Sequence, residues 1–364
     1  MSDQVKAALA AVVDGRTLTL DEARAAMGSV MDGEATPALL AALLVALRMR
    51  GETVDELAGF ATAMRERVLP VEAPPNAIDT CGTGGDGSGT FNISTTAALV
   101  VAAAGVPVAK HGNRAMTSRS GSADVLEALG IRIDHDAASA GEALRTIGFA
   151  FLFAPGFHPA MKHAGPTRRE IGVRTAFNLL GPITNPAGAR RQLIGVADPV
   201  AAERLAAVLH RLGVDRAFVV RGSGIDELPL DGSGVIHDVT PDGIETRPVD
   251  AVALGLTKAS TAKLGGGTPE ENARIVEAVL RGEPGARRDV VLLNAGAALV
   301  VAGVAASLEE GIERAALTID AGLAGELLEQ LRTERRAVEA GRAARSGEAA
   351  TAGGAGTLAG TAPA

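Results

Sequence analysis

Residues 77–104 read AIDTCGTGGDGSGTFNISTTAALVVAAA, and the order of residue types in this stretch decides the fold. Residues 77–80 form a short apolar run of strand character, 82–90 a glycine-rich loop, and 95–104 an apolar run suited to a buried helix. A strand feeding such a loop into a helix is the start of a βαβ unit. Glycines let the backbone approach a ligand closely, and a helix N-terminus favours negative charge. Gly82, Gly84 and Gly87 also satisfy the dinucleotide spacing, but that fold needs an acidic residue about 20 positions on to hold ribose hydroxyls. Lys110 and His111 stand there instead, and no Asp or Glu occurs between Asp86 and Asp124. A more anionic ligand is favoured. No Gly-Lys-Ser/Thr closes the loop, so it is not a P-loop either.

Downstream, short apolar strands at 106–109, 150–154, 193–197, 217–221 and 234–239 are expected. They alternate with helices at 122–129, 199–212, 268–304 and 307–332. That rhythm implies a largely parallel sheet with helices on its faces. Upstream, apolar residues recur at helical spacing over 4–13, 20–31, 37–49 and 53–68, with Thr19 or Asp21, Thr36-Pro37 and Thr53 as starting signals. Pro70, Pro74 and Pro75 then break the pattern. The fold class expected is α/β plus all-α: a small N-terminal helical domain over 1–72 and a large α/β domain over 76–335 with a mainly parallel central sheet. From 337 to 364 large apolar side chains almost vanish, and a disordered tail is expected.

Composition narrows the function. With 47% hydrophobic and 21% charged residues the 364-residue chain is globular rather than disordered. A net charge of −8 argues against nucleic acid as a partner, because phosphate backbones call for a basic face. The single cysteine, Cys81, excludes an intrachain disulfide and any multi-cysteine metal site, and it reads as a packing residue. The N-terminus, MSDQVKAALAAVV, lacks the basic start of a signal peptide, and the apolar runs are too short or broken to span a membrane. A cytoplasmic protein is expected.

Three further segments carry chemistry. Lys110-His-Gly-Asn-Arg-Ala-Met-Thr-Ser-Arg-Ser-Gly-Ser-Ala-Asp124 follows the second strand, so it shares a crevice with the first loop. Its Lys110, Arg114 and Arg119 supply charge, while Thr117, Ser118, Ser120 and Ser122 supply hydroxyls for phosphate oxygens. Asp226 and Glu227, in a loop after a strand, suit Mg²⁺, which prefers oxygen ligands and bridges to phosphates; alone, such a pair is common on surfaces. The segment 158–186 is basic through Lys162, Arg168, Arg169 and Arg174, with Glu170 its only acid. One of those arginines can clamp a carboxylate, and spacing does not choose among the four cations. His158 and His163 have no accompanying Cys or acid in a metal-ligand pattern. Together the segments read as a site for a polyanionic sugar phosphate with Mg²⁺ and a carboxylate-bearing second substrate.

The strings CGTGGDGSGTFNIST (81–95), KHGNRAMTSRSGSADVLEALG (110–130), HPAMK (158–162), RREIGVRTAFNLLGPITNPA (168–187) and DELPLDG (226–232) occur in this order. In that combination the chain resembles the anthranilate phosphoribosyltransferases of tryptophan biosynthesis, to about residue 335. The resemblance implies transfer of a phosphoribosyl group from 5-phosphoribosyl 1-pyrophosphate to the amino group of anthranilate. It also implies two Mg²⁺ ions per subunit and a homodimer joined through the helical domain, which would receive part of 155–185. Carried over by motif, Gly82, Gly85, Asp86, Thr90, Asn92, Ile93, Ser94 and Thr95 would contact phosphoribosyl pyrophosphate. So would Lys110, His111, Gly112, Asn113, Arg114, Ala115, Met116, Thr117, Ser118 and Ser122. Gly82, Asn113 and Arg168 would position anthranilate, and Ser94, Asp226 and Glu227 would hold metal. No residue is assigned as general acid or base. A pyrimidine-nucleoside phosphorylase and a non-catalytic, nucleic-acid-binding paralogue are the competing readings. Without Trp or Tyr, ring contacts to anthranilate fall to residues such as Asn113, His111, Gly, Ala, Pro, Met and Phe.

Overall fold

Thr19, Thr36 and Thr53 each cap a helix in the computed structural model, which describes residues 3–115 and 119–354, and side chains up to 344. The helices are α1 (Asp3–Val13), α2 (Leu20–Met31), α3 (Pro37–Arg50) and α4 (Val54–Arg65). Glu22 and Glu56 return the bond to the cap residue's own N–H, completing capping boxes; the threonine caps contribute about 1 kcal/mol each. Glu56 is fully buried, accepts from the Leu18 amide at 2.8 Å and pairs with Arg50, so one carboxylate ties α4 to α3 and to the turn before α2.

The α/β part is a seven-stranded sheet of order β3-β2-β1-β4-β5-β6-β7. Its strands are β1 (Ile78–Gly82), β2 (Val108–Gly112), β3 (Phe149–Phe153), β4 (Arg191–Gly195), β5 (Arg216–Arg221), β6 (Gly234–Thr240) and β7 (Gly243–Val249). The first five are parallel, while β6 and β7 run antiparallel at one edge. Side chains alternate between faces, as the pleat requires. Ile78, Val108, Phe149, Phe151, Leu193 and Phe218 point into one core with α5 (Ile93–Ala103) and α6 (Ser122–Ala128). The same core receives α12 (Pro269–Leu280), α13 (Ala286–Ala302) and α14 (Leu308–Asp320). Ile194, Ala217 and Val219 face the other way, onto α11 (Pro199–Arg211) and the N-terminal helices. Ala109, Ala150 and Leu152 pack on α7 (Ala137–Thr146) and on α8 (Ala154–Phe157) through its Phe157. Two more short helices, α9 (Gly165–Ile171) and α10 (Phe177–Leu180), contribute Ala164, Ala176, Phe177 and Leu180 around their ends to the cluster formed by α1 to α4. Among the described residues no helix is long and apolar enough to cross a membrane.

Three details depart from expectation. Strand β2 begins at Val108 and runs on to Gly112, so Lys110 and His111 lie in the sheet, paired with Phe151 and Leu152, rather than in a loop. Strand β7 and helix α7 were not expected; β7 is mostly exposed or half-buried, and its polar run IETRPV hides the strand signal. The largest departure is the tail. Helix α15 runs Leu323–Gly354, so the disorder expected from 337 does not hold over 337–354; residues 355–364 lie outside the described residues. The physical reason is that Ala324, Leu327, Leu328 and Leu331 nucleate this helix by packing into the core. Propagation into a sequence rich in Ala, Arg and Glu then needs propensity only, not burial. Arg342 also pairs with Asp134 at 2.6 Å, beyond the expected end of structure.

Candidate active site

Strand order reverses between β1 and β4, and the carboxyl ends of strands at such a switch point are where open α/β sheets bind ligands. There the loop after β5 lies across the ends of both strands. A Cβ on Gly195 would sit 1.6 Å from the Asp226 carbonyl oxygen, and one on Gly82 2.4 Å from Asp226 Oδ2, so only glycine admits this crossing. Asp226 Oδ2 accepts the Gly84 amide at 2.8 Å, and Glu227 Oε1 accepts the Ser94 amide at 3.0 Å, at the start of α5. Adjacent residues thus hold the glycine-rich loop and the helix N-terminus together. Asp86 Oδ2 accepts the Asp226 amide at 3.4 Å.

Burial, reinforced by Asp86, pushes the Asp226 carboxyl up to about 7, and burial beside Asp226 pushes Glu227 to about 8. Two crowded carboxyls reluctant to ionise are what an oxygen-seeking cation would relieve. Among the described residues no group of three or more His, Cys, Asp or Glu forms a metal cage. Two adjacent carboxylates, with the Ser94 hydroxyl hydrogen-bonded to Glu227, are an oxygen donor set that fits Mg²⁺, which keeps several waters and takes further oxygens from substrate phosphates.

The remaining residues of the glycine-rich loop divide. Asn92 is a bracket: its Oδ1 accepts from Asn272 Nδ2 at 2.8 Å, and its Nδ2 donates to the Ser120 carbonyl at 3.2 Å, joining α12 and the loops after β1 and β2. Thr90 bridges to Gly265, and its hydroxyl lies 3.3 Å from Ser88 Oγ. Ile93 and Thr95 are buried in the core and leave only backbone for a ligand.

The second loop is arranged differently from its sequence reading. Lys110 is buried, with Nζ donating to the Thr80 carbonyl, and burial pulls its ammonium below the usual lysine range. Its register in β2 places it over β1 beside Asp79 and Glu227 rather than out in solvent. Asp79 is wholly buried; its Oδ1 accepts the His111 amide at 3.1 Å and its Oδ2 accepts Asn185 Nδ2 at 2.8 Å. His111 Nδ1 meets the Gly181 carbonyl at 3.1 Å and its Nε2 meets His158 Nε2 at 3.1 Å. Gly112 packs on Ser122, whose hydroxyl donates to the Asn113 carbonyl at 3.2 Å. Arg114 does not offer a free guanidinium to phosphate: Asp124 and Glu127 hold it at 3.0 and 2.8 Å, over the Phe153 ring. The Ala115 amide also goes to Asp124, at 2.9 Å. Met116, Thr117 and Ser118 lie outside the described residues.

In the basic segment the four cations separate. Lys162 and Arg169 are exposed. Arg168 is half-buried with its guanidinium carbon 4.7 Å from the Phe177 ring centre, and burial lowers its affinity for a proton. Among the described residues it forms no ion pair, so it is a desolvated cation ready for a carboxylate. Arg174 instead reaches the Gly84 carbonyl at 2.8 Å. Sequence reasoning passed over Asp79, Asn185 and Asn272, because nothing in a lone Asp or Asn announces a buried partner. Cys81 is buried and its thiol pushed well up by burial, as a packing residue should be.

Two family models cover this architecture: one described as glycosyl transferase family, helical bundle domain, over 6–68, and one as glycosyl transferase family, a/b domain, over 74–325. An anthranilate phosphoribosyltransferase of Pelotomaculum thermopropionicum is 53% identical over 90% of this chain and 95% of its own length. The crystal structure of the Thermus thermophilus enzyme of that name superposes with a TM-score of 0.86 at 46% identity, covering 90% of this chain and 99% of its own. The Saccharomyces cerevisiae enzyme, in complex with PRPP and Mg, gives a TM-score of 0.85 at 26% identity over 93% of this chain and 99% of its own. With both domains matched and half of its residues shared with such a relative, the chain belongs to the anthranilate phosphoribosyltransferase family.

Proposed function

We propose that the chain transfers the phosphoribosyl group of 5-phosphoribosyl 1-pyrophosphate to the amino group of anthranilate, giving N-(5-phosphoribosyl)anthranilate and pyrophosphate. The observation that carries this reading is the Asp226-Glu227 dipeptide, which binds the glycine-rich loop and the α5 N-terminus to one another at the switch point. Around it the glycine-rich loop amides and the α5 N-terminus form a setting for a polyanion, braced by Asn92 through Asn272 and Ser120. Arg168 on its Phe177 platform supplies the partner for anthranilate's carboxylate, with Asn113 and Gly82 completing the acceptor site. Ser94, Asp226 and Glu227 are the residues that would hold Mg²⁺, two ions per subunit, whose chemistry is to neutralise charge gathering on departing pyrophosphate.

The reaction breaks the C1–O bond, with the electron pair leaving on pyrophosphate, and forms a C1–N bond from the lone pair of the aromatic amine, whose nitrogen then releases one proton to solvent. Positive charge grows on the ribose ring meanwhile. The protein's share is to hold both substrates in line, which reduces the entropic part of the barrier, and to receive the leaving group with preset loop amides. No general base is required of the residues described.

The same reading divides the chain into a helical unit, 1–72 with part of 155–185, and an α/β unit, 76–335. It makes the chain a cytoplasmic homodimer. Support for the dimer is the exposure of apolar residues on two neighbouring helices of the helical unit: Ala7, Ala10 and Val13 of α1, and Ala38, Ala42, Val45 and Met49 of α3. The direct test follows anthranilate fluorescence, which no Trp or Tyr of this chain overlaps. Loss of signal should require both Mg²⁺ and phosphoribosyl pyrophosphate; folded protein that leaves the signal unchanged with both present refutes the reading.

A further inference from the structure

Arg174 sits in the connector between α9 and α10, which places it along the chain between Arg168 and Phe177, the ring on which Arg168 rests. Gly172, with φ of 68°, ends α9 just before it, and the Thr175 amide is held by Asn178 Oδ1 at 3.0 Å just after. From this short span the Arg174 guanidinium crosses to the glycine-rich loop and donates to the Gly84 carbonyl at 2.8 Å. The other side of the same residue is already occupied, since the Gly84 amide donates to Asp226 Oδ2 at 2.8 Å. Gly84 is thus gripped by its N–H from the wall of acidic residues and by its C=O from the basic segment. The Arg174 side chain is exposed and, among the described residues, has no carboxylate partner, so its bond to Gly84 is not a by-product of a salt bridge formed elsewhere.

We propose that Arg174 is a positioning residue for the acceptor: by holding the Gly84 carbonyl it fixes the Arg168–Phe177 clamp at a set distance from the donor loop. The proposal rests on the transferase reading above and deepens it. In a reaction driven by placement, the acceptor amine must meet C1 within a fraction of an ångström. Yet Arg168 and the donor loop belong to different parts of the chain, joined at this point by one guanidinium. Removing that bond releases the exposed span 172–174 between Arg168 and the buried Phe177, while leaving the donor loop held by Asp226, by the Gly195 carbonyl on the Thr83 amide at 2.9 Å, and by the Thr90–Gly265 bridge. The consequence should therefore fall on anthranilate and not on phosphoribosyl pyrophosphate. An arginine that bound pyrophosphate itself would show the opposite pattern.

The experiment compares wild type, Arg174→Ala and Arg174→Lys in the presence of Mg²⁺, titrating each substrate at saturation of the other. For Arg174→Ala we expect the anthranilate KM to rise about tenfold, the effect of losing one charged hydrogen bond, with kcat reduced and the KM for phosphoribosyl pyrophosphate nearly unchanged. Arg174→Lys, which keeps the charge and a donor, should recover most of the loss, and the thermal midpoint should be the same in all three proteins. An unchanged anthranilate KM in Arg174→Ala, a matching rise in both KM values, or a lysine variant as impaired as the alanine variant overturns the proposal. An inactive but folded wild type would instead remove the transferase reading beneath it.

Discussion

The amide of Gly84 donates to Asp226 Oδ2 across 2.8 Å, although 142 positions separate the two residues along the chain. The loop expected to receive pyrophosphate and the carboxylate expected to hold its metal are therefore one mechanical unit. Replacing Asp226 with Asn and Glu227 with Gln keeps the shape and removes the charge. Loss of several kcal/mol of charge stabilisation corresponds to a fall in kcat/KM of about 100-fold or more. The Mg²⁺ concentration for half-maximal rate should rise as well. Initial rates across a Mg²⁺ titration check both, and a wild-type metal profile would refute the metal role.

Arg168 is half-buried, cushioned by Phe177, and among the described residues has no carboxylate partner of its own. Substituting alanine should raise the anthranilate KM about 10- to 100-fold, the range for a lost charged hydrogen-bonded pair. Steady-state kinetics at saturating phosphoribosyl pyrophosphate give the answer directly. An unchanged KM would remove Arg168 from the acceptor site.

His111 and His158 face each other Nε2 to Nε2 at 3.1 Å. Burial, with His158 and Lys110 adding repulsion, holds His111 down at about 3, while burial alone brings His158 to about 4. Both rings should keep the NMR shifts of neutral imidazole through the range around pH 6.5 where a free histidine titrates, with His158 half-protonated only at about 4. The unfolded chain binds protons at these rings near the ordinary 6.5, so between 6.5 and about 4 it takes up more protons than the native state. Stability must then fall as pH drops through that window. Asp79, Asp226 and Glu227 are shifted upward and act in the opposite sense, so the informative measurement is a difference. The thermal midpoint of His158→Gln should decline less steeply with acid than that of wild type. Parallel slopes would show that the histidine pair does not resist protonation.

Met49 of α3 is 82% and Val13 of α1 68% exposed, on helices that pack against one another and that would together offer an apolar face. If that face joins two copies, Met49→Glu with Val45→Glu should turn a dimer into a monomer in light-scattering chromatography, with the circular dichroism unchanged. A wild type that is already monomeric, or a variant that stays dimeric, would place the interface elsewhere or nowhere.

What could be read in advance follows the range of the signal. Thr19, Thr36 and Thr53 mark their helices because capping is settled within four residues. The strand–loop–helix order of 77–104 is legible because glycine and apolar periodicity are equally local. Asp226 and Glu227 are visible as a pair but meaningful only by association, since their partners lie at Gly84 and Ser94. Lys110 is expected to face a ligand directly, and its burial depends on β2 running on to Gly112 against β3, a matter of sheet register. Asp79, Asn185 and the Gly84 contact of Arg174 leave no trace in sequence, because they exist only once β1, β2 and the 172–185 segment are side by side. The extent of α15 escapes a sequence reading for a different reason: poverty of apolar side chains forbids a core but not a helix.

Helix α13 is buried without a break from Val290 to Ala302 and packs on α5, β4 and β5. A chain growing from its N-terminus makes β1, α5 and β2 long before it makes this helix. Until then α5, the helix whose first turn Glu227 will hold, can rest on β1 and β2, and the face that will meet α13 stays uncovered. The nascent protein should therefore carry a large sticky surface through most of its synthesis, with the catalytic crevice among the last features to form. Chaperone demand and sensitivity to C-terminal truncation, rather than any property of the finished crevice, are where that arrangement would be felt in a cell.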